Sequence, residues 1–453
     1  MSADGLKASV EKMEAEGIPE AAIATFRHYY EQLESGETGM LPEDSIEPVE
    51  DVTDFEELPE EDGPLDRAVV LKLNGGLGTS MGMTQAKSLI EAKDGLAFLD
   101  VVARQVTALR ERAGAPVPLV LMNSFYTRED SLEKLGEHPE LESPVPADFV
   151  QHKEPKLLVE DLTPVEWPDD PAQEWCPPGH GDLYTALLTS GMLDALLDAG
   201  YRWAFISNSD NLAAVLEPRV LAWIAREEIP FVMEVTDRTE ADRKGGHIAR
   251  RGDRYLLRET AQTPEEDLGA LQDITRHRYV NTNNLWVDLE ALKALMAERE
   301  GVLGLPLIVN KKTVDPGDKS SPEVFQLETA MGAAVGVFEG ARPLRVPRSR
   351  FSPVKSTEDL LGLRSDAYVL TDDARVELDP RREHKPPIID LDDEHYKRLR
   401  DFEQRFPAGA PSLVECERLS LEGDVTFGRD VVVRGTVRVE GPKEIPDGEV
   451  LSG

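Results

Sequence analysis

Cysteine is nearly missing: two in 453 residues, Cys176 and Cys416, far apart in sequence. That excludes a disulfide framework and any thiolate metal site, which needs closely spaced ligands. A reducing compartment follows, and the expected location is the cytoplasm. Long apolar runs are missing too, so no segment is expected to cross a membrane. The opening residues Met1-Ser-Ala-Asp-Gly-Leu-Lys7 lack the basic-then-apolar layout of a secretory leader. Positive charge is scarce: 50 Lys and Arg stand against 87 Asp and Glu, for a net charge of −37 and a pI near 4.6. A chain this acidic repels nucleic acid and anionic membranes, so neither is an expected partner. The acidity is read as an adaptation to salt, in which case stability holds or rises in molar salt. Any site for a polyanion must then gather cations locally.

What is present is length and pattern. The chain exceeds what one core usually serves, so two or three domains are expected. Helical periodicity over residues 3–35 (Leu6, Val10, Met13, then Ile18, Phe26, Tyr30, Leu33) is broken at Gly17-Ile-Pro19. Two short helices packed on the main domain fit it better than a partner-binding hairpin. Acidic residues and scattered prolines over 36–64 read as an extended connector. From residue 68 to about 368, strand candidates (117–122, 203–207, 230–235, 278–281, 284–287, 305–309) alternate with helical runs (99–112, 182–199, 288–298). That order predicts an α/β domain with a largely parallel sheet and ligands at the strand ends. The resulting partition is 1–66 for helical flank and connector, 67–391 for the α/β domain, and 392–453 for a helix and a terminal domain.

In that last segment the period changes. Leu419, Val425, Val431 and Val437 recur every six residues, as do Leu421, Phe427, Val433 and Val439. Two interleaved apolar series of period six predict a small parallel β-solenoid; a hairpin explains alternation but not the hexad.

Chemistry concentrates first at Arg67-Ala-Val-Val-Leu-Lys-Leu-Asn-Gly-Gly-Leu-Gly-Thr-Ser-Met-Gly82, with Lys87-Ser88 beyond it. A continuous apolar run of the buried-strand type breaks into glycines at 75, 76, 78 and 82. Glycines open the left-handed region and let an anion approach bare N–H groups, and the lysine adds charge. The dinucleotide pattern fails because Met81 stands where its third glycine belongs. A Walker loop fails because Ala86 precedes Lys87. On pattern alone a phosphate cradle and an empty tight turn both stay open. The stretch Lys72-Leu-Asn-Gly-Gly-Leu-Gly-Thr-Ser-Met-Gly82 with Lys87-Ser88 closely resembles the nucleotide-binding loop of eukaryotic-type UTP–glucose-1-phosphate uridylyltransferases (UDP-glucose pyrophosphorylases). By that resemblance Leu73, Asn74, Gly75, Gly76 and Lys87 contact the nucleotide. The implied fold is a nucleotidyltransferase-type, Rossmann-like mixed sheet with helices on both faces, plus a small C-terminal left-handed parallel β-helix.

Other segments follow in the same family order. In Trp203-Ala-Phe-Ile-Ser-Asn-Ser-Asp-Asn211 a hydrophobic strand ends on a carboxylate. Such a group can hold Mg²⁺ beside phosphates, since Mg²⁺ takes few carboxylates and keeps phosphate oxygens and water; an Asx-turn is the bland alternative. The resemblance makes Asp210 the metal ligand and Asn208 a sugar-nucleotide contact. Trp175-Cys-Pro-Pro-Gly-His-Gly-Asp182 is either a helix-entry turn or a close-approach loop; the resemblance implies Gly179 on the nucleotide and His180 on the sugar phosphate. Gln151 offers both donor and acceptor to a base edge, unless it merely ends a strand. The resemblance makes it the uracil reader, with Met122 in another wall of that pocket. Gly246, Glu259 and Asn283 or Asn284 resemble the family's sugar-binding positions, though each also suits an ordinary turn. Val346-Pro-Arg-Ser-Arg-Phe-Ser-Pro-Val-Lys355 puts cations in a proline-restricted loop of an acidic protein. It is a solvated cluster or, by resemblance, the place from which Lys355 neutralises phosphate charge, making Lys355 and Lys87 the catalytic cations.

The resemblance implies UTP + glucose 1-phosphate ⇌ UDP-glucose + pyrophosphate, with Mg²⁺ as cofactor and a monomer or small homo-oligomer as the working form. Two rivals stay open: a pyrophosphorylase of different or broader sugar 1-phosphate specificity, and a non-catalytic nucleotide-sugar sensor. Gln85-Ala86 departs from the family's usual Gly-Pro before the loop lysine.

Overall fold

The computed structural model describes residues 2–83, 85–382 and 385–453. The chain divides into two units, each assembled from separate stretches. The first is 1–71, 144–206 and 217–346; the second is 72–143, 207–216 and 347–453. Two strands, Ala68–Asn74 and Trp203–Asn208, begin in the first unit and end in the second. Of the residues expected to do chemistry, Leu73 to Gly76, Asn208 and Asp210 lie at or just beyond those two strand ends.

In the first unit a large mixed sheet runs in the order Thr53–Asp54, Arg342–Arg345, Phe231–Asp237, Tyr279–Asp288, Trp203–Asn208, Ala68–Asn74. The expected largely parallel sheet is corrected here. Tyr279–Asp288 is antiparallel to both neighbours, while Phe231–Asp237 pairs Arg342–Arg345 in parallel. The two strands expected at 278–281 and 284–287 are this one strand. Its polar middle looks like a loop in the sequence, but the amides satisfy one another. Asn281 Nδ2 donates to Asn283 Oδ1 at 2.8 Å, and Thr282 Oγ1 donates to the Glu234 carbonyl at 2.7 Å. The run 305–309 shifts to Ile308–Thr313, which joins Glu323–Glu328 and Leu157–Leu158 in a separate antiparallel sheet.

The helix expected over 182–199 is two, Leu183–Thr189 and Met192–Asp198, broken where Gly191 takes φ 75°. The amphipathic stripe runs through the break, so periodicity alone does not reveal it. Ser2–Ala15 and Glu20–Glu34 bury Met13, Phe26 and Tyr30 against Leu157, Leu307 and Leu327. Removing a fully buried Phe from such a contact costs roughly 3–5 kcal/mol, which holds the helices on the domain. Residues 36–64 are extended but not free: Glu47–Pro48 pairs with His247–Arg251, and Thr53–Asp54 adds an edge to the main sheet.

In the second unit Phe98–Ala113 starts where Asp100 Oδ2 accepts from the Ala97 N–H at 2.8 Å and ends at Gly114. At the C-terminal end, Ile388–Leu391, Cys416–Glu422, Val432–Glu440 and Val450–Ser452 pair in parallel, in that order. Val425–Phe427 and Lys443–Ile445 form a second parallel ladder. The hexad residues meet in register: Leu419 opposite Val437, Leu421 opposite Val439, Phe427 opposite Ile445. Each residue thus stacks on one three hexads away. Cys176 and Cys416 are buried free thiols. Among the described residues no helix is long and apolar enough to cross a membrane.

Candidate active site

The glycine loop of the second unit is built from the strand outward. Ala68 to Leu71 are buried, as an apolar strand in a covered sheet should be. Lys72 follows and is only 1% exposed. Its ammonium donates to Ser207 Oγ at 2.7 Å and to the Ala214 carbonyl at 2.8 Å. A buried ammonium is tolerated only when hydrogen-bonded, so Lys72 ties this strand to the segment that carries Asp210. Leu73 gives its carbonyl to the Ser209 N–H at 3.0 Å, a second tie between the same segments. Asn74 is buried, and its amide donates to Asn123 Oδ1 and Ser131 Oγ, both at 2.8 Å. That amide fixes the loop's base and the end of the Leu119–Asn123 strand, on which Met122 is buried.

Beyond Asn74 and Gly75 the backbone opens. A Cβ at Gly76 would meet nothing within 4 Å, so local packing does not demand the glycine, and space is left above the backbone. Gly78 does need its residue type: φ is 62°, and it caps the short turn Thr79–Met81. The chain then returns, with the Lys87 N–H donating to the Gly76 carbonyl at 3.1 Å.

Lys87 is the junction. Its Nζ lies 2.7 Å from Asp210 Oδ2 and also donates to the Val354 carbonyl. The Val354 N–H donates to the Asp210 carbonyl at 3.1 Å. Three stretches far apart in sequence (the glycine loop, the strand end at Asn208–Asp210 and the basic loop) therefore meet in the second unit. The other carboxylate oxygen, Asp210 Oδ1, is buried and has no hydrogen-bond partner among the described residues. An unpaired buried carboxylate oxygen is costly, and a bound cation would satisfy it. The buried Ser88 hydroxyl next to Lys87 is also unpartnered among the described residues. Lys355, one residue past Val354, is exposed, and its ammonium has no ion-pair partner among the described residues. Only its N–H is held, by Asp359 Oδ2 at 2.8 Å.

The first unit holds Gln151, Gly179, His180, Gly246, Glu259, Asn283 and Asn284. Gln151 follows the strand Asp148–Val150, half-buried, with no side-chain partner among the described residues. Gly179 has φ 76°, and a Cβ there would sit 2.5 Å from the Thr329 carbonyl, so only glycine fits. His180 Nδ1 accepts from the Met331 N–H at 3.0 Å. The ring proton must then be on Nε2, which is left as a donor. Burial pushes the His180 pKa down to about 4, so this donor is neutral at pH 7. Gly246 exists for a close approach: a Cβ would lie 2.4 Å from Glu259 Oε2.

The two asparagines separate. Asn283 sits at φ 58°, half-buried, in the left-handed region that Asn tolerates. Asn284 is fully buried, and its Nδ2 donates to Glu234 Oε2 at 3.0 Å, while Trp286 Nε1 donates to Oε1 at 3.0 Å. Asn284 supports the strand, while Asn283 is the less buried of the two and accepts from Asn281 through its Oδ1.

A family model described as UTP–glucose-1-phosphate uridylyltransferase matches residues 23–434. The chain belongs to that family. It is 41% identical over 420 residues to the UTP–glucose-1-phosphate uridylyltransferase of Solanum tuberosum, covering 91% of this chain and 85% of that protein. The Saccharomyces cerevisiae uridylyltransferase is 40% identical over 398 residues, 87% of this chain and 78% of its own. Among solved structures, a point mutant of UDP-glucose pyrophosphorylase from Leishmania major in complex with UDP-glucose superimposes with a TM-score of 0.94 at 45% identity, covering 99% of this chain and 98% of that one. A Trypanosoma brucei structure named UDP-glucose phosphorylase gives 0.90 at 44%, covering 99% of this chain and all of its own.

Within this uridylyltransferase family member, sequence reasoning assigned no role to several residues that organise the site. Lys72 was legible as a charge inside an apolar run. Asn211 was legible only as part of a polar turn. Its Oδ1 accepts from the Ser352 N–H at 3.1 Å and its Nδ2 donates to the Arg350 carbonyl at 3.2 Å, stapling the basic loop beside Asp210. Asp182 and His152 had no signal of their own beyond lying next to Gly181 and Gln151.

Proposed function

We propose that this chain transfers a uridylyl group from UTP to glucose 1-phosphate, releasing pyrophosphate and forming UDP-glucose, reversibly. The observation that carries the reading is the Lys87–Asp210–Val354 junction beside the glycine loop, in a chain whose family is named for this reaction. An oxygen of the sugar phosphate attacks the α-phosphorus of UTP in line. The new P–O bond forms as the bond from the α-phosphorus to the bridging oxygen breaks, and pyrophosphate leaves with that electron pair. Such transfers need positioning and charge neutralisation rather than a protein nucleophile.

The residues divide that work. Leu73, Asn74, Gly75 and Gly76 lie along uridine and phosphates, with Gln151, Met122 and Gly179 shaping the nucleotide pocket. Lys87 and Lys355 face the phosphates as the two catalytic cations. His180, through its neutral Nε2–H, donates to the sugar phosphate, and Asn208, Gly246, Glu259 and Asn283 meet the hexose hydroxyls. Mg²⁺ fits Asp210, whose buried Oδ1 lacks a partner while Oδ2 is held by Lys87. Bound there, the ion would offset charge on the leaving pyrophosphate. Among the described residues no three metal-ligating side chains cluster, which suits an ion that takes most of its ligands from phosphate and water.

We read 67–391 as a Rossmann-like nucleotidyltransferase domain and 392–453 as a left-handed parallel β-helix, the latter supported by the two parallel ladders. A cytoplasmic monomer or small homo-oligomer completes the proposal. The test is pyrophosphate release from UTP and Mg²⁺ with the 1-phosphates of glucose, galactose and N-acetylglucosamine. Glucose 1-phosphate is expected to give the highest kcat/KM. Equal turnover of galactose 1-phosphate replaces the reading with a broader UDP-sugar pyrophosphorylase. No turnover with intact UDP-glucose binding replaces it with a sensor.

A further inference from the structure

Asp182 stands at the start of the helix Leu183–Thr189, where an aspartate ordinarily caps free N–H groups. Here it does not cap. Both of its oxygens are taken up by one residue from another part of the first unit. Oδ2 accepts from the His152 backbone N–H at 2.6 Å, and Oδ1 accepts from His152 Nδ1 at 2.8 Å. Both side chains are buried, at 8% and 6% exposure, and the far side of the ring is closed by Thr189 Oγ1, 2.9 Å from Nε2.

His152 is the neighbour of Gln151, and Asp182 lies two residues beyond His180. The other side of the Pro178–Asp182 turn is stitched as well. The Gly181 N–H donates to the Thr329 carbonyl at 2.8 Å, and the Thr329 N–H to the Pro178 carbonyl at 3.0 Å. The turn carrying His180 is therefore held on two sides, and on the side of Gln151 Asp182 makes the bonds to His152. Glu154 lies in the same buried cavity and would repel Asp182 if both were charged. Burial drives the Glu154 carboxyl well above its usual range, and the nearby Asp182 carboxyl pushes it further in the same direction.

We propose that Asp182 is a positioning residue that holds the base-reading and sugar-phosphate-reading elements in register through its paired bonds to His152. The inference rests on the roles proposed above for Gln151 and His180. Neither Asp182 nor His152 touches a substrate; the carboxylate fixes the backbone from which Gln151 projects and the turn from which His180 projects. Small displacements of positioned groups are costly: about 1 Å can lower a rate about 100-fold.

The experiment compares KM for UTP and for glucose 1-phosphate in four enzymes: wild type, Gln151→Ala, His180→Ala and Asp182→Ala. Gln151→Ala is expected to raise mainly the KM for UTP, and His180→Ala mainly that for glucose 1-phosphate. Asp182→Ala is expected to raise both, by about 10-fold or more. Asp182→Asn should recover most of the loss. Its amide oxygen can accept from the His152 N–H, and its NH₂ can donate to the other ring tautomer. If Asp182→Ala does not fold, His152→Phe removes the side-chain bond, keeps the backbone one and is expected to shift both KM values in the same direction. A lower melting temperature with both KM values unchanged overturns the proposal, as does a rise in only one of them. Should the wild type use another sugar 1-phosphate, the functional reading fails while the paired shift, measured with that substrate, still decides the role of Asp182.

Discussion

In the second unit Lys87 and Asp210 meet at 2.7 Å with 14% and 21% of their side chains exposed, and Lys355 stands in solvent. In the first unit the corresponding groups are neutral or sequestered. His180 is held uncharged, burial drives the Glu154 carboxyl well above its usual range, and both Asp182 oxygens are taken up by His152. The contrast suits the roles proposed above for the residues of each unit. Polyphosphate calls for charge that is present before substrate arrives and can be re-paired when it binds. A base edge and sugar hydroxyls call for directional neutral donors and acceptors, for which a net charge would be a desolvation cost without a partner.

That division can be broken most directly at Lys355. Lys355→Ala is expected to lower kcat by about 100- to 1000-fold, the range for removing one preorganised charge on a transition state. The melting temperature should not change, because the ammonium has no ion-pair partner among the described residues. Steady-state kinetics beside a thermal melt checks both halves; near-normal kcat would remove Lys355 from the chemistry. On the reading side the effect should be smaller and fall on binding. Gln151→Glu exchanges a donor for a second acceptor and is expected to raise the KM for UTP about 10- to 100-fold, from a mispaired hydrogen bond of about 1–3 kcal/mol. Here kcat should stay within a few-fold of wild type; a collapse of kcat instead would mean that the two sides do not divide the work.

The smallest effect concerns stability. Glu154 has a folded pKa raised above its unfolded value, so the folded state holds the extra proton. Stability is fully present below the unfolded value, near 4.5, and is lost as pH rises toward the folded pKa. Glu154→Gln removes that dependence. Its melting temperature relative to wild type is expected to climb between pH 5 and pH 8, by about 2–4 °C. A difference that is flat with pH would mean that Glu154 is not held protonated.

Much of this site was legible in the chain itself. The apolar run into Asn74-Gly-Gly-Leu-Gly78, the carboxylate at the end of the 203–208 run and the basic loop at 346–355 all advertise themselves through residue type and local spacing. The hexads of 419–439 likewise wrote down a parallel ladder, since a repeating unit that stacks on itself imposes its period on the sequence. Where expectation and structure part, the reason is non-local. The antiparallel course of Tyr279–Asp288 depends on which strands it lies between. The break at Gly191 lies inside an unbroken apolar stripe. Asn283 and Asn284 are adjacent and chemically identical, and Glu234 on a neighbouring strand decides which of them is buried.

By itself, then, the sequence determined which chemical groups this protein owns and the turns that present them, because backbone conformation and amphipathic period are set by residues close along the chain. Tertiary structure alone decided how those groups are paired. Lys87 finds Asp210 across 123 residues, Lys72 finds Ser207 across 135, and His152 finds Asp182 across 30. A carboxylate or an amide carries no mark of its partner. Only burial makes an unpaired one costly enough that the fold must settle which partner it takes.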